Sequence, residues 1–381
     1  MPEPKNIVIC LDGTGNSMVG NATNVIRIFQ LVRNASDRQI AYYAPGVGTQ
    51  TSPGKVSVMG ARLRRLAGMA FGYGTIADVE NAYSFIANNY QAGDRLFFFG
   101  FSRGAYSVRF LASVIHQIGL LPAGQTQLLP HAIRAALAGD EDTTQKFAGM
   151  FCVAKPKIAF LGLFDTVKSG FYFDDSGWKL VRTSLPYSWY NPDVLKVRQA
   201  MALDERRAFY PINRWIETKT NKLNMAIGDV EQVWFAGDHS DIGGGYPEAS
   251  SKLYLLALRW IVAAAVEAGM AIDRKIYADL GLDAAPDHAC EPMHDRLAGS
   301  AFWWICEGVP RFAVNDDDGV RKTLRLPRGR GRFVPAGSLV HASVRERRER
   351  GRDAHLQPYA PRNLPAGVEW VEGSGVGGGN S

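Results

Sequence analysis

Apolar runs alternate with helix-like segments along this chain, and five of the runs stop at loops rich in glycine, aspartate, serine or threonine. The runs lie at residues 6–11, 39–44, 97–99, 158–164 and 232–236. Between them, apolar residues recur at helical spacing, as at 25–32 and 75–89. This alternation predicts an α/β fold, in which right-handed crossovers build a mainly parallel sheet with helices on both faces. The loops after the strands then share one edge of the sheet, where such proteins place their sites.

The third run leads into the sequence Gly-Phe-Ser-Arg-Gly at residues 100–104. Gly100, Ser102 and Gly104 match the G-x-S-x-G nucleophile elbow, in which small flanking residues let the chain turn sharply and expose a serine hydroxyl above a sheet. An apolar strand precedes the pattern, and a helix-like segment at 106–118 follows it. This context favours Ser102 as a nucleophile. The alternative is a glycine-rich turn from strand to helix that carries an ordinary hydroxyl.

A serine nucleophile needs a base within hydrogen-bonding distance and a carboxylate that orients the base. Of the seven histidines, only His239 lies in a loop directly after a predicted core strand, and Asp165 has the same placement after the fourth run. The order Ser102, Asp165, His239 is the α/β-hydrolase order of nucleophile, acid and base. Other interpretations stay open: Asp165 as a helix cap or ribose ligand, His239 as a structural residue, and Asp238 or Asp241 as the orienting acid.

Acyl transfer also needs N–H donors for the developing oxyanion. The backbone N–H of Arg103, the residue after the serine, is the expected first donor, and the loop Asp12-Gly13-Thr14 is the candidate for the second. Gly13 permits close backbone approach, and Thr14 adds a hydroxyl. The same loop allows a rival interpretation, because phosphohydrolases with an aspartyl nucleophile carry D-x-D-G-T there. Here Cys10 stands in place of the first aspartate, which removes that covalent step.

Acidic residues at the strand ends leave a metal-assisted alternative open. Asp12, Asp238 and Asp241 offer hard oxygen ligands of the kind that Mg²⁺ and Ca²⁺ prefer. We expect no metal and no other cofactor for the serine mechanism.

A single domain is predicted over residues 1–370, followed by a flexible, glycine-rich tail at 371–381. The basic region of this domain, 310–370, contains eleven Arg or Lys between positions 321 and 352. Such a region is typical of a solvated charged face, and it also suits contact with an anionic membrane surface.

An insertion or lid is predicted at 168–230, between the fourth and fifth runs, and its first part is rich in aromatic residues. Phe171, Tyr172 and Trp178 are candidate substrate-binding residues in the wall of an apolar pocket. A satellite hydrophobic core is the alternative.

Composition limits the compartment and the partners. With 381 residues, of which 46% are hydrophobic, the chain is large enough for a sizeable core, and its net charge of +6 favours anionic surfaces. We expect no nucleic-acid partner. The four cysteines form no CxxC pair, which suits a reducing compartment. No secretory signal is visible at the amino terminus, so we expect a cytoplasmic protein, with export by a route that needs no cleaved signal left open.

Several motifs together resemble one family. The motifs are LDGTGN at 11–16, YAPGVGT at 43–49, GFSRGA at 100–105, FDTV at 164–167, ALDER at 202–206, the segment 234–246, HASV at 341–344 and YAPRNLP at 359–365. Across nearly the whole chain they resemble the α/β-hydrolase domain of bacterial type VI secretion lipase effectors, the Tle-like phospholipases, and of related bacterial and fungal proteins.

This resemblance implies a serine hydrolase, in the characterised effectors a phospholipase that cleaves acyl esters of membrane glycerophospholipids. The family's catalytic triad falls on Ser102, Asp165 and His239. Family members often carry a histidine where this chain has Gln199, which implies a difference in substrate binding. Gln199 and Asp12 are therefore further candidate substrate-binding residues.

The main hypothesis is a serine carboxylic ester hydrolase of phospholipase or lipase type that works through an acyl-enzyme. Its partners are a lipid or other ester substrate and an anionic membrane surface. One alternative is a metal-assisted phosphoester hydrolase that uses Asp12 and neighbouring acids. The other is a non-catalytic adaptor that binds membranes through the basic region.

Overall fold

The structure is a computed structural model. It describes residues 3–14, 21–46, 71–138, 140–167, 172–173, 180–181, 187, 190–215, 229–283, 288–314, 322–350 and 358–373.

The described residues contain twelve strands and ten α-helices. The strands are β1 (Asn6–Thr14), β2 (Gln39–Gly46), β3 (Arg95–Phe101), β4 (Ile158–Phe164), β5 (Tyr172–Phe173), β6 (Leu180–Val181), β7 (Lys196–Ala202), β8 (Asp229–Phe235), β9 (Arg311–Val314), β10 (Lys322–Arg325), β11 (Leu339–His341) and β12 (Glu369–Val371). The helices are α1 (Asn24–Val32), α2 (Phe71–Asn89), α3 (Arg103–Ile118), α4 (Leu129–Ala138), α5 (Glu141–Phe151), α6 (His239–Gly243), α7 (Tyr254–Glu267), α8 (Arg274–Asp279), α9 (Ala301–Glu307) and α10 (Ala342–Arg350).

Eight of the strands form one sheet in the order β12-β11-β8-β7-β4-β3-β1-β2. All pairings of neighbouring strands in this sheet are parallel. Two small antiparallel pairs, β5 with β6 and β9 with β10, lie outside it. The sheet and its surrounding helices confirm the predicted α/β fold of the hydrolase type.

Alternate residues of β1 face two separate cores, which explains why its sequence is apolar from Ile7 to Leu11. Ile7 and Ile9 pack in the core that α2 and α3 cover, whereas Val8 and Cys10 pack in the core that α1 and α7 cover. A strand that is buried on both faces needs apolar side chains at every position. This two-sided burial fixes the sheet between layers of helices.

The strand order reverses at β1, which lies between β2 and β3. In open α/β sheets a crevice forms outside the carboxyl ends of the strands at such a reversal, because the two crossovers leave on opposite sides. The loops after β1, β3, β4 and β8 all lie at this edge.

β7 is a central strand, although the sequence pattern placed it within the insertion at 168–230. Its polar residues mask the strand signal. Arg198 is buried because its guanidinium forms a two-pronged ion pair with Asp229, at 2.7 and 3.0 Å, and Gln199 is fully buried. Residues of the central sheet therefore interrupt the predicted insertion.

The basic region also contributes to the sheet, through β11 and β12 at one edge. Trp234 of β8 packs there with Val340 and Val344 in a third apolar cluster. Val371, the first residue of the predicted tail, is instead the last residue of β12. Within the described residues, no helix combines the length and the apolar character that crossing a bilayer requires.

Candidate active site

Ser102 lies at the turn between β3 and α3, with φ 58° and ψ −119°. A residue other than glycine pays about 1–3 kcal/mol for such a conformation, so the surrounding structure has to enforce it. The two flanking glycines make the turn possible. A Cβ at Gly104 would lie 2.1 Å from the Leu11 carbonyl oxygen, and one at Gly100 would lie 2.6 Å from the Ala105 backbone. Both glycines are therefore sterically required at this turn.

His239 is the first residue of α6, just after β8. Gly237, with φ 118°, turns the chain, and the Asp238 carboxylate then accepts hydrogen bonds from the N–H groups of Ser240 and Asp241 at 2.9 and 3.0 Å. The Asp241 carboxylate accepts in return from the Asp238 N–H at 3.0 Å. This capping box fixes the backbone that carries the histidine.

The three residues that the strand ends predict as neighbours form a hydrogen-bonded chain. His239 Nδ1 lies 2.5 Å from Asp165 Oδ2, and His239 Nε2 lies 2.8 Å from Ser102 Oγ. A carboxylate only accepts hydrogen bonds, so Nδ1 carries the proton and Nε2 is left to accept from the serine hydroxyl. Asp165, His239 and Ser102 are 0, 5 and 7% exposed. The imidazole is thus held in the tautomer that a general base requires.

Two aromatic rings flank this imidazole. The ring centroid of Phe101 lies 4.6 Å from that of His239, and the Tyr210 ring meets it edge-on at 4.9 Å. Packing on both sides restricts rotation of the histidine.

Asp165 follows β4 and takes a positive φ of 41°. Its carboxylate accepts a hydrogen bond from the Ala202 N–H at 2.9 Å. It also accepts hydrogen bonds from both terminal nitrogens of Arg332, at 2.5 Å from Nη1 and 2.9 Å from Nη2. Burial by itself would raise the pKa of Asp165. The Arg332 guanidinium, with His239, outweighs burial and holds that pKa well below its usual range. Asp165 is therefore a carboxylate at neutral pH.

Sequence reasoning did not identify Arg332, because it is one of many arginines in the basic region. Its guanidinium also donates to the Ala202 carbonyl at 3.1 Å and to the Tyr210 carbonyl at 2.7 and 3.2 Å. Its own carbonyl accepts from Asn363 Nδ2 at 3.0 Å, and the same amide donates to the Leu203 carbonyl at 2.9 Å. The Asn363 motif thus anchors the segment that carries Arg332.

Burial lowers the pKa of His239 below its ordinary value. The hydrogen bond to Asp165 and its negative charge oppose this shift, the nearby Arg207 adds to it, and Glu205 opposes it. The net lowering keeps the imidazole neutral at pH 7, so its Nε2 is free to take a proton.

Asp12 lies in the loop at the carboxyl end of β1, beside the serine turn. Its carboxylate accepts hydrogen bonds from the Gly13 N–H at 2.7 Å, the Thr23 hydroxyl at 2.5 Å and the Tyr43 hydroxyl at 3.0 Å. Asp12 is 3% exposed, so these contacts serve to hold the loop. Gly13 and Thr14 follow at the end of β1, where Thr14 pairs with Gly46.

Comparison with known families shows what kind of domain carries this site. Residues 5–264, more than half of the chain, match the family model described as "T6SS, Phospholipase effector Tle1-like, catalytic domain". The chain belongs to this Tle1-like family. Arg332 and Asn363 lie beyond the matched residues.

Individual relatives of this Tle1-like domain are distant and longer. The uncharacterized yeast protein YEL023C, from Saccharomyces cerevisiae, is 30% identical over 224 residues, which are 53% of this chain and 31% of the yeast protein. An uncharacterized protein of known structure from Pseudomonas aeruginosa is 20% identical with a TM-score of 0.39, over 73% of this chain and 49% of that one. A Tle1 effector solved bound to the VgrG spike of a type 6 secretion system is 21% identical with a TM-score of 0.37, over 66% and 52%. The chain thus spans between about a third and about half of the length of these relatives.

Gln199, a candidate substrate-binding residue, makes hydrogen bonds inside the protein. Gln199 is fully buried in β7, its amide nitrogen donates to the Asn213 carbonyl at 3.0 Å, and its amide oxygen accepts from the Trp215 N–H at 3.1 Å. The side chain therefore holds the segment 213–215 and does not line an open pocket.

The aromatic candidates of the predicted lid are only partly described. Phe171 and Trp178 lie outside the described residues, and Tyr172 is placed only by its backbone in the two-residue strand β5. The described residues instead put Tyr210 beside the histidine, and Trp303 lies next to Tyr210 at a centroid distance of 5.7 Å.

No cluster of three or more His, Cys, Asp or Glu side chains with a metal-binding arrangement occurs among the described residues of this Tle1-like domain. The acids considered as ligands all accept hydrogen bonds from protein donors. Asp238 also accepts from the Tyr246 hydroxyl at 2.6 Å, and Asp241 accepts from His294 Nδ1 at 2.7 Å. Asp165, and neither of these two, contacts the imidazole of His239.

Proposed function

We propose that this Tle1-like domain hydrolyses carboxylic esters, with Ser102 as nucleophile, His239 as general base and Asp165 as the acid that orients the histidine. The observation that carries this proposal is the hydrogen-bonded chain from Asp165 through His239 to Ser102, at 2.5 and 2.8 Å, on a strained turn. Nucleophile, base and orienting group within hydrogen-bonding distance are the arrangement that activates a serine at neutral pH.

The reaction proceeds in two halves. Ser102 Oγ attacks the ester carbonyl carbon while its proton moves to His239 Nε2, and Asp165 stabilises the imidazolium that forms. The tetrahedral intermediate collapses, His239 returns the proton to the departing alcohol oxygen, and the acyl group stays on Ser102. Water then attacks the acyl-enzyme, gives its proton to His239 and releases the carboxylic acid. The serine is restored with its proton.

The donors for the oxyanion come from two neighbouring backbones in this proposal. The Arg103 N–H begins α3. The Gly13 N–H, with Thr14 beside it in the sequence, donates to the Asp12 carboxylate at 2.7 Å and would exchange that contact for the oxyanion. Close approach of these two segments supports the assignment, since the space for a Cβ at Gly104 is filled by the carbonyls of Leu11 and Asp12. Removal of a single oxyanion donor costs about 100- to 1,000-fold in kcat in other hydrolases.

The proposed substrate is the acyl ester of a glycerophospholipid. Membership of a phospholipase effector family supports this class of substrate. A row of aromatic rings beside the histidine also supports this substrate class. Tyr210 packs against Trp303, and the Trp303 ring centroid lies 6.3 Å from that of Phe209 and 5.3 Å from that of Phe302. Rings of this kind form an apolar surface that suits acyl chains.

Hydrolysis assays on two substrates test the proposal. The wild-type protein is expected to release fatty acid from phosphatidylcholine vesicles and from a soluble short-chain p-nitrophenyl ester. Ser102→Ala is expected to lower kcat at least about 1,000-fold on both substrates. Release of phosphate or of a phosphorylated headgroup in place of fatty acid would contradict it. Chelator-sensitive hydrolysis that survives Ser102→Ala would contradict it as well.

A further inference from the structure

Arg332 is a buried arginine whose guanidinium donates to Asp165 and to the carbonyls of Ala202 and Tyr210. Its side chain is 7% exposed, and it approaches the carboxylate from a position 167 residues further along the chain. The two terminal nitrogens bind the two carboxylate oxygens separately. The planar guanidinium fork matches a carboxylate in both position and angle, so this contact fixes the rotation of the carboxylate as well as its charge.

A buried ion pair of this kind is weak evidence for a role in stability. The cost of removing both charges from water often exceeds their attraction, and apolar replacements of similar volume are often neutral or stabilising. Near an active centre the pair has a second effect, because it determines where the carboxylate lone pairs point. Asp165 Oδ2 accepts from His239 Nδ1 and from Arg332 Nη2 together, so rotation of the carboxylate would break both contacts.

The same arginine holds one wall of the histidine. Its Nη2 and Nε donate to the Tyr210 carbonyl, and the Tyr210 ring meets the His239 ring edge-on. Glu307 joins the segments that flank Tyr210 and Arg332, since its carboxylate accepts hydrogen bonds from the N–H groups of Ala208 and Gly329. Arg332 therefore contacts two of the groups that hold the imidazole.

The charged groups around the histidine come from several elements. Asp165 contacts its Nδ1, the Glu205 carboxylate accepts its backbone N–H at 3.3 Å, and Arg207 pairs with Glu205 at 2.6 Å while it lies over the Tyr210 ring. Arg207 and Glu205 thus largely neutralise each other. Among the residues that the structure describes, Arg332 is the cation bound directly to Asp165.

We propose that Arg332 is a positioning residue for the proposed hydrolase reaction, which fixes the rotation and the charge of Asp165 so that the carboxylate holds His239 in line with Ser102. This inference rests on the proposed function. It extends the catalytic machinery to a segment beyond the residues that match the Tle1-like catalytic family.

Substitutions at Arg332 separate charge from geometry. Arg332→Met removes both, so we expect about a 100-fold lower kcat from misplacement of the histidine. It also removes a cation beside the Asp165–His239 pair, and loss of that positive charge favours the protonated form of His239. The acid limb of the kcat/KM profile is therefore expected to move about one pH unit toward alkaline pH. Arg332→Lys keeps the charge and loses the fork, so the limb is expected to return to its wild-type position while kcat stays about tenfold low.

Arg198 provides a matched control. Arg198 is a buried arginine whose two terminal nitrogens donate to the two carboxylate oxygens of Asp229. This pair lies at the start of β8, away from the carboxyl ends of the strands. Arg198→Met and Arg198→Lys are expected to keep the wild-type kcat and the wild-type acid limb. A shift of the limb in Arg198→Met equal to that in Arg332→Met would overturn the proposal, because it would reflect loose packing in general.

An NMR titration of the His239 imidazole tests the inference without any substrate, with its resonance assigned by its loss in His239→Gln. The midpoint is expected to rise in Arg332→Met and to stay at the wild-type value in Arg332→Lys and Arg198→Met. An unchanged midpoint in a folded Arg332→Met protein would refute the positioning role, even where the ester hydrolysis is confirmed. If Arg332→Met does not fold, the two lysine variants decide, and equal kcat values for Arg332→Lys and Arg198→Lys would refute it. If no ester is hydrolysed at all, the proposed function fails, while the titration still reports on Arg332.

Discussion

At the scale of single residues, the site depends on the unusual backbone conformation of Ser102. Ser102 is held at φ 58° because the chain on both sides of it is packed without room for a Cβ. The tightest contact is at Gly104, where a Cβ would lie 2.1 Å from the Leu11 carbonyl oxygen and 2.6 Å from that of Asp12. Those carbonyls belong to the end of β1, which cannot move without disturbing the sheet.

Gly104→Ala is therefore expected to lower the free energy of unfolding by about 3 kcal/mol and to abolish hydrolysis, because the added methyl group pushes the proposed nucleophile away from its base. Gly149→Ala is the control, since Gly149 lies in α5 with no atom within 4 Å of the added Cβ. That substitution is expected to stabilise the protein by about 0.5–1 kcal/mol. Urea unfolding with an ester assay checks both. Near-wild-type activity in Gly104→Ala would contradict the steric explanation.

Ser102, Asp165 and His239 could be predicted as neighbours because each lies in the turn or loop after an apolar strand, and parallel strands bring such loops to one edge. Arg332 could not be predicted in this way. It lies between β10 and β11, in a segment without regular structure, and its partner is chosen by the tertiary fold. Gln199 was expected to contact the substrate because it departs from a family motif. The structure instead places its side chain fully buried in β7, which the motif alone could not indicate.

At the scale of elements, strands were predictable where burial made them apolar and were missed where they carry buried polar residues. β3 reads Arg-Leu-Phe-Phe-Phe-Gly-Phe and is an obvious strand. β7 is equally central but carries Arg198, whose charge is neutralised by Asp229 on the neighbouring strand. β11 and β12 have three residues each, which is too short for a periodic signal.

The strand β11, between β12 and β8, carries a buried histidine that makes stability depend on pH. His341 stacks on Phe235 at a centroid distance of 4.5 Å, and its Nδ1 accepts the Ser343 N–H at 3.2 Å, which requires a neutral ring. Burial, with a smaller contribution from the charge of Arg259, lowers the pKa of His341 to about 4.

Because the folded pKa lies below the unfolded value, the unfolded chain takes up the proton first as the pH falls. His341 is therefore expected to lower the free energy of unfolding by up to about 3 kcal/mol between pH 6.5 and pH 4. His341→Asn keeps an acceptor for the Ser343 N–H and does not titrate, so urea unfolding of this variant should show a shallower decline over that range. His131→Asn, at an exposed position, is expected to decline like the wild type. Equal slopes for wild type and His341→Asn would refute this source of acid sensitivity.

At the scale of the whole molecule, large apolar side chains are exposed around α9 and the strands β9 and β10. They are Phe302, Trp304, Ile305, Val309, Leu324 and Leu326. This apolar face continues inward through Trp303 and Tyr210 to His239. Exposed apolar surfaces of this kind mark interaction sites, and the proposed lipid substrate makes a bilayer the occupant that fits.

Ile305→Glu is expected to weaken binding to phosphatidylcholine vesicles about tenfold, since it replaces a side chain that is 74% exposed and would enter the lipid. Val153→Glu is the matched control, because Val153 is 69% exposed and lies before the amino end of β4, whereas the candidate site lies at the carboxyl ends of the strands. Both variants should hydrolyse a soluble short-chain ester at the wild-type rate. Vesicle flotation measures the binding, and equal loss in the two variants would contradict a specific lipid-facing surface.

Labelling with a fluorophosphonate probe, read by intact mass, tests most directly whether Ser102 is the nucleophile. The wild-type protein is expected to gain the mass of one probe adduct, because a serine activated by a neutral histidine attacks the phosphorus. Ser107 lies in α3, directly after the turn that carries Ser102, and its hydroxyl donates to the Arg103 carbonyl. Ser107→Ala is expected to label like the wild type. Ser102→Ala is expected to gain no mass. Full labelling of Ser102→Ala would remove Ser102 from the reaction and contradict the proposed mechanism.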